Sequence, residues 1–320
     1  MNFQMVYQTL RKDLDSIEKK IEEVLTSTSP TLQDTSVHYL RSGGKRLRPM
    51  LVLLSAKFGD ATRPIIKDVA VALELIHMAS LIHDDVIDDA ETRRGRLTVK
   101  EKWDNKVAMY TGDYILAKSL ELLARIENTT AHKIFAETMV QLSIGEIEQI
   151  RDKYDFNQTV TSYFRRIKRK TALLIAACCQ LGAMAAGADK FICEKLYQFG
   201  YFAGMAFQIT DDILDFTSTD EKLGKPAGGD LLQGNITLPV LFALKNKDLK
   251  EKIVKVHEHM DREELDEIIQ GIKESGAIDQ SFAVSDHYLK KALQQLEELP
   301  DNDTKLFLKA IVNFIRKRNY

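Results

Sequence analysis

Three cysteines in 320 residues, Cys178, Cys179 and Cys193, are too few for a disulfide framework and have no metal-ligand spacing. Cys178 and Cys179 are adjacent in an apolar run, which predicts small core residues in a reducing cytoplasm. Proline is scarce, at six, and no Pro-, Gly- or Ser-rich stretch marks a linker. The chain therefore reads as one domain over residues 1–320, although its length alone would suggest about two. Basic residues number 45 against 47 acidic ones, so no basic surplus argues for nucleic acid or an anionic membrane surface. The longest apolar-rich stretch, 171–188, is interrupted by Gln180, Gly182 and Gly187 and follows five basic residues. It predicts a buried helix and no transmembrane segment. The first residues mix acid and base without an apolar signal core, which makes a cytoplasmic location the expectation. Alternating strand patterns and helical repeats of fixed period are both missing.

What is present favours helices. Hydrophobic residues make up 44% of the chain, and Ala, Leu, Glu, Lys and Ile are common. Apolar residues recur at three or four from Val6 through Leu10, Leu14, Ile17, Ile21 and Val24, predicting an amphipathic opening helix. Residues 67–89 contain neither Gly nor Pro and read as one long buried helix. Further helices are predicted over 107–125, 131–153, 160–186, 190–216 and 238–245, and in the charged region after Lys247. Thr159 is placed to cap the helix leading to Lys170. Residues 91–96 read as a polar loop and 217–237 as a long glycine-bearing one.

One aspartate spacing occurs twice, as Asp84-Asp85-Val86-Ile87-Asp88 and as Asp211-Asp212-Ile213-Leu214-Asp215. Each repeat puts carboxylates at i and i+4 on one helical face, where like charges repel unless a cation lies between them. Crowded oxygen ligands suit a hard divalent cation, and Mg²⁺ held by one or two carboxylates per side usually carries substrate phosphates on its other positions. A single DDxxD is most often an acidic helix end in water. Two of them, each entered through an apolar run and followed by basic residues, favour a metal–diphosphate site. His77 falls within ~20° of the line through Asp84 and Asp88 at ~100° per residue, about two turns below, and becomes a candidate phosphate or substrate contact. His83 lies on another face.

Five cations are candidates to meet these carboxylates: Lys45, Arg48, Arg93, Arg94 and Lys170. Arginine gives forked contacts to phosphate and lysine a compact charge. Most of the run 165–170 reads as ordinary surface charge. Two acidic clusters and several cations exceed what one phosphate group needs and suit two diphosphates, one bridged by Mg²⁺ and one held directly. No Ser-His-Asp or Cys-His set is apparent, so the chemistry should rest on a leaving group activated by cations. An apolar interior below charged rims suits ionisation of an apolar diphosphate away from water.

Over nearly its full length the chain resembles the trans-polyprenyl diphosphate synthases. The resemblance is carried by Gly44-Lys45-Arg46-Leu47-Arg48-Pro49, by the first aspartate motif with Arg93-Arg94-Gly95 behind it, by Gly112-Asp113 and by Lys170-Thr171. Phe207-Gln208, the second aspartate motif, Gly224-Lys225-Pro226 and Thr237-Leu238-Pro239 complete it. It implies an all-α fold, a single large helical bundle with a central apolar cavity. It also implies that Lys45, Arg48, His77 and Arg94 hold isopentenyl diphosphate, and that Arg93, Lys170, Thr171, Gln208 and Lys225 hold an allylic diphosphate, expected to be farnesyl diphosphate. Asp84, Asp88 and Asp211 would ligate Mg²⁺, with Asp85, Asp212 and Asp215 nearby or acting through water. The implied reaction is ionisation of the allylic diphosphate, attack by the isopentenyl double bond, and loss of a proton. Asp84, Asp88, Asp211, Arg93 and Lys170 would be its catalytic groups. Many relatives have a Gly-Lys pair before Thr-Leu-Pro, where this chain has Gly234-Asn235, so one diphosphate-binding lysine is missing.

Ala79 and Ser80 lie five and four residues before Asp84, Ser80 one turn or ~5.4 Å below it. In this family bulky aromatics at those places stop chain growth, so small residues imply a medium or long product, C30 to C40, such as heptaprenyl diphosphate for a quinone side chain as in menaquinone. The bland alternative is that they merely permit close helix packing. Details around 228–239 are most similar to the larger, catalytic subunit of two-component hexaprenyl and heptaprenyl synthases, implying a smaller helical regulatory subunit as partner in a heterodimer. A class I terpene cyclase would share the first motif, but normally carries an Asn/Ser/Glu second site and lacks the Lys45–Arg48 cations. A metal phosphohydrolase would need better-placed histidines than His38 and His77. Non-catalytic helical subunits tend to lose the aspartates that this chain retains.

Overall fold

The computed structural model describes residues 2–217 and 227–318. Among the described residues it is all-α apart from one minimal hairpin. In chain order, helices α1 (Phe3–Val24), α2 (Pro30–Leu40), α3 (Leu47–Ala56) and α4 (Ile65–Ile87) precede the hairpin of β1 (Thr92–Arg93) and β2 (Arg96–Leu97). Then follow α5 (Val99–Lys102), α6 (Asn105–Leu123), α7 (Thr129–Arg151) and α8 (Val160–Ile167), a π-helical turn (Lys168–Ala172), and α9 (Leu173–Ala185) and α10 (Lys190–Thr217). The remainder is α11 (Gly229–Leu232), α12 (Leu238–Ala243), α13 (Lys247–Ile253), α14 (Arg262–Glu274), α15 (Ala277–Glu297) and α16 (Asp303–Arg316). Among the described residues no helix is long and apolar enough to cross a membrane.

Two compact units emerge from the contacts. The first comprises Met1–Ile134, Cys178–Glu194 and Asn302–Leu308, the second Phe135–Ala177, Lys195–Asp301 and Lys309–Tyr320. In the first unit the 3/4 stripe of α1 is buried at Val6, Leu10, Leu14, Ile17 and Ile21, and α1 packs on α3 and α4. Helix α4 packs on α6 and is apolar along most of its length, and each end of the helix expected over 67–89 shifts by only about half a turn, to 65 and 87. A Cβ at Gly182 would lie 2.4 Å from the Val52 carbonyl oxygen, so the residues around it need glycine to approach α3 this closely. The three cysteines are free and buried, in keeping with their apolar setting.

In the second unit α12 packs against α8, α14 and α15 around a cluster that includes Tyr163, Ile209, Ile213, Phe216, Leu238 and Ile268. Thr159 caps α8 by accepting from the Ser162 amide, while the Ser162 hydroxyl accepts from the Thr159 amide, a reciprocal capping box. The helix predicted over 160–186 is not regular: Lys168–Ala172 forms a π turn. Glycines approach this turn from two helices. A Cβ at Gly145 of α7 would lie 2.9 Å from Arg169 Cβ, and one at Gly204 of α10 would lie 2.7 Å from Ala172 Cα.

Residues 91–96, read as a polar loop, contain the hairpin instead. Thr92 pairs with Leu97 and Arg93 with Arg96, and the turn residues Arg94 and Gly95 both have positive φ, at 53° and 75°. Two such residues are what a tight type I′ connection requires. The strands are too short to show alternation.

Candidate active site

Both aspartate motifs lie at the C-terminal end of a long helix, the first on α4 and the second on α10. That is the wrong end for carboxylates, because the helix dipole is negative there and the last carbonyls lack partners. The i, i+4 repulsion adds to this cost. An arrangement unfavourable for the fold alone calls for cations, and each motif has them.

In the first unit, Asp84 is 8% exposed, Asp85 is 1% exposed, and Asp88 caps the end of α4. Arg93, delivered by the hairpin, places both Nε and Nη2 2.7 Å from Asp85 Oδ1. Asp85 Oδ2 is buried without a hydrogen-bond partner. Burial is the largest influence on this carboxyl and outweighs Arg93, so it is pushed up to about 6. Arg94 folds across to the Gly43 carbonyl. Gly44, at φ +148°, leaves room for it, since a Cβ there would lie 2.7 Å from Arg94 Nη1.

Within the loop before α3, Arg46 adopts left-handed backbone geometry and turns inward, Nε 2.8 Å from Glu18 Oε1 and Nη1 3.2 Å from Glu74 Oε1. It ties the loop to α1 and α4, leaving the motif's neighbours Lys45 and Arg48 to other work. Lys45 is exposed. Arg48 is half-buried with its Nε buried and unpartnered, and burial pulls its guanidinium down, Glu74 opposing. Burial first, and then Arg48, Arg94, Arg93 and Arg46, hold His77 well below the usual imidazole range. It is neutral and can both donate and accept. Ser80 donates to the His77 carbonyl at 2.9 Å, and Ala79 is buried. His83 faces α6 instead, 3.2 Å from the Met109 carbonyl, with its ring filling the space over Gly112. Tyr39 also belongs to this surrounding, though the helix pattern gave no sign of it: its hydroxyl is buried without a partner.

In the second unit a relay of hydrogen bonds runs from the π turn to the second motif. Thr171 donates to Gln208 Oε1 at 2.7 Å, and Gln208 Nε2 donates to Asp212 Oδ1 at 2.8 Å. Tyr163 donates to Asp212 Oδ2 at 2.6 Å. Both oxygens of Asp212 are therefore engaged by protein donors. Burial, then the charge of Asp230, push its carboxyl up to about 8 against these two bonds. Asp215 Oδ2 accepts from the Asp230 amide at 3.1 Å and so organises the start of α11. Asp211 Oδ1 accepts from Arg318 Nη2 at 2.9 Å, and the Arg318 guanidinium lies 4.4 Å over the Phe207 ring.

Lys170 places Nζ 2.7 Å from Glu146 Oε2. The expected surface charges of 165–170 are only partly that. Arg166 is buried and donates to Gln158 and to the Ile236 carbonyl, both at 2.7 Å, and Arg169 pairs with Glu148. Lys225 lies outside the described residues. Gly234, the glycine of the departed Gly-Lys pair, has φ +81°, and a Cβ there would lie 2.6 Å from the Tyr154 ring.

Among the described residues no group of three or more His, Cys, Asp or Glu side chains is arranged to hold a metal by itself. Mg²⁺ does not ask for one, because one or two carboxylates suffice when phosphates and waters fill the remaining positions. The unpartnered, buried Asp85 Oδ2 beside Asp84 and Asp88 fits an oxygen-seeking cation of that kind.

The polyprenyl synthetase family model matches residues 29–273, through parts of both units. The chain belongs to this family and is a prenyltransferase. Component 2 of the heptaprenyl diphosphate synthase of Bacillus subtilis (strain 168) is 56% identical over all of this chain and 92% of that protein. The Geobacillus stearothermophilus component 2 is 54% identical over the whole of both. A crystal structure of heptaprenyl diphosphate synthase from Staphylococcus aureus superposes with a TM-score of 0.94 at 44% identity, covering 97% of this chain and 99% of that one. A polyprenyl synthase from Caulobacter crescentus CB15, complexed with calcium and isoprenyl diphosphate, matches at TM-score 0.94 and 30% identity over 99% and 98% of the two chains. Synthases of this family are generally Mg²⁺-dependent.

Proposed function

We propose that the chain is the catalytic component of a two-component heptaprenyl diphosphate synthase, adding isopentenyl diphosphate head-to-tail to farnesyl diphosphate. The observation that carries this reading is a shared construction of the two motifs. In each, the second aspartate is anchored by protein donors, Asp85 by Arg93 and Asp212 by Tyr163 and Gln208, at the C-terminal end of a long helix. Anchoring fixes the helix end, so that Asp84 and Asp88 in one motif and Asp211 in the other serve as Mg²⁺ ligands, with Asp85, Asp212 and Asp215 supporting them. Bound Mg²⁺ would supply the charge that stabilises a departing diphosphate.

The chain's own groups divide the remaining work. Lys45, Arg48, His77 and Arg94 hold isopentenyl diphosphate, His77 as a neutral hydrogen-bonding partner. Arg93, Lys170, Thr171, Gln208 and Lys225 hold the allylic diphosphate. Ala79 and Ser80 leave room for a growing chain. The heptaprenyl product, the partner subunit and the link to a quinone side chain rest on the relatives named component 2, at 54% and 56% identity over the full chain. The family match across both units supports one synthase domain over 1–320.

The test is incubation with Mg²⁺, farnesyl diphosphate and labelled isopentenyl diphosphate, with and without host extract, followed by chain-length analysis. Heptaprenyl diphosphate, formed fully only with extract, is expected. A cyclic hydrocarbon, or no incorporation in either arm, contradicts the reading.

A further inference from the structure

The Tyr39 side chain is 5% exposed, and its hydroxyl is buried with no hydrogen-bond partner. Buried hydroxyls are rarely left so, and each exception asks for an explanation. Tyr39 lies on α2, six residues before Lys45, and its hydroxyl stands in the electrostatic field of Arg93 and Arg94 and of Asp85 and Glu74. Arg48, whose Nε is likewise buried and unpartnered, feels Tyr39 in turn. Two orphaned polar atoms therefore share one cation-rich surrounding, and both can only donate to an incoming anion: the guanidinium has no acceptor, and burial holds the phenol in its protonated form. The acceptor both lack is an anionic oxygen.

We propose that the Tyr39 hydroxyl donates a hydrogen bond to the diphosphate of isopentenyl diphosphate, as a binding residue of the site assigned to Lys45, Arg48, His77 and Arg94. The inference rests on that assignment of the site. It separates Tyr39 from an ordinary packing tyrosine in a measurable way. A hydroxyl orphaned in the substrate-free protein stabilises nothing there, so its removal should leave the fold as stable or more so. With substrate bound, the same removal deletes a hydrogen bond to a charged group, worth roughly tenfold or more in affinity.

The experiment compares Tyr39→Phe with the unmodified full chain, assayed with whatever partner full activity needs. The expected result is a KM for isopentenyl diphosphate raised roughly tenfold, kcat and the KM for farnesyl diphosphate nearly unchanged, and a melting temperature no lower than before. An unchanged KM for isopentenyl diphosphate overturns the proposal, as does an equal rise for both substrates. Lys45→Ala, at an exposed position that should not disturb folding, runs alongside. If Lys45→Ala raises the isopentenyl KM and Tyr39→Phe does not, Tyr39 is a packing residue and the site assignment stands. If neither variant moves it, the site assignment itself has failed.

Discussion

The Tyr163 hydroxyl donates to Asp212 Oδ2 across 2.6 Å, and Tyr163 is itself fully buried in the apolar cluster of the second unit. The second motif is thus tied through a buried hydroxyl to the hydrophobic core into which its own Ile213 already packs. Tyr163→Phe keeps the ring and removes the donor, leaving a buried carboxyl oxygen without this partner. The expected cost is about 1–3 kcal/mol of stability, read by thermal melting, with roughly tenfold lower turnover because one such bond positions the motif. A Phe variant that melts and turns over like the parent contradicts an anchoring role.

A pH dependence follows from the same carboxyl. Asp212 is pushed up to about 8, whereas an unfolded aspartate titrates near ~4. Between those values the folded chain binds more protons than the unfolded one, so stability falls as pH rises through that window. Asp85, pushed up to about 6, contributes with the same sign over the lower part of it. Metal-free protein should melt higher at about pH 6 than at about pH 8. Asp212→Asn, which cannot ionise, should flatten the difference, and an equally steep profile in that variant argues against it.

Turnover should depend on both motifs. Asp84→Asn and Asp211→Asn are each expected to lower kcat by at least ~100-fold while circular dichroism shows unchanged helix content. Asn is preferable to Ala at 211, because Arg318 would keep a polar neighbour. Near-normal rates at saturating substrate in either variant remove that aspartate from the metal site.

Arg48→Ala should raise the KM for isopentenyl diphosphate by about tenfold or more and spare the allylic substrate, since a charged hydrogen bond is lost at one site only. Steady-state kinetics with each substrate varied in turn decide it. Equal effects on both mean that the division into two pockets is wrong.

The space below the first motif should set product length. Phe at Ala79 or Ser80 adds a ring where Ala79 is already buried, and overfilling costs about 1–3 kcal/mol. Complexes with long tails should bear most of that cost, so products shift to C15 or C20 while early condensations stay nearly unimpaired. Long products from both variants would leave these residues as helix-packing positions only.

What was legible in the sequence was what local spacing controls. The α1 stripe from Val6 to Ile21, the Thr159 cap and the long helices bearing both motifs follow from period and capping chemistry, and the structure has them. The less legible features arise from distant partners. Arg318 meets Asp211 across 107 residues of chain, and no spacing rule connects them. Arg46 and Arg166 looked like other basic residues, yet each is consumed by buried acceptors. The π turn has no composition of its own, and the glycines on α7 and α10 that lie close against it are brought there only by the fold.

That turn makes the region intolerant to one kind of change in particular. A π turn holds one residue more than the α-helix around it, so deleting a single residue from Lys168–Ala172 would restore a regular helix with all its hydrogen bonds. Spectroscopically such a deletion would look harmless. The wide turn already absorbs the ~100° that its extra residue would add, so the flanking helices would keep their facing and only the side chains of the turn itself would be redistributed. Lys170 would then leave Glu146 and Thr171 would leave Gln208, with no side chain chemically altered. Here chain length, counted to a single residue, is as much a part of the site as any of its carboxylates.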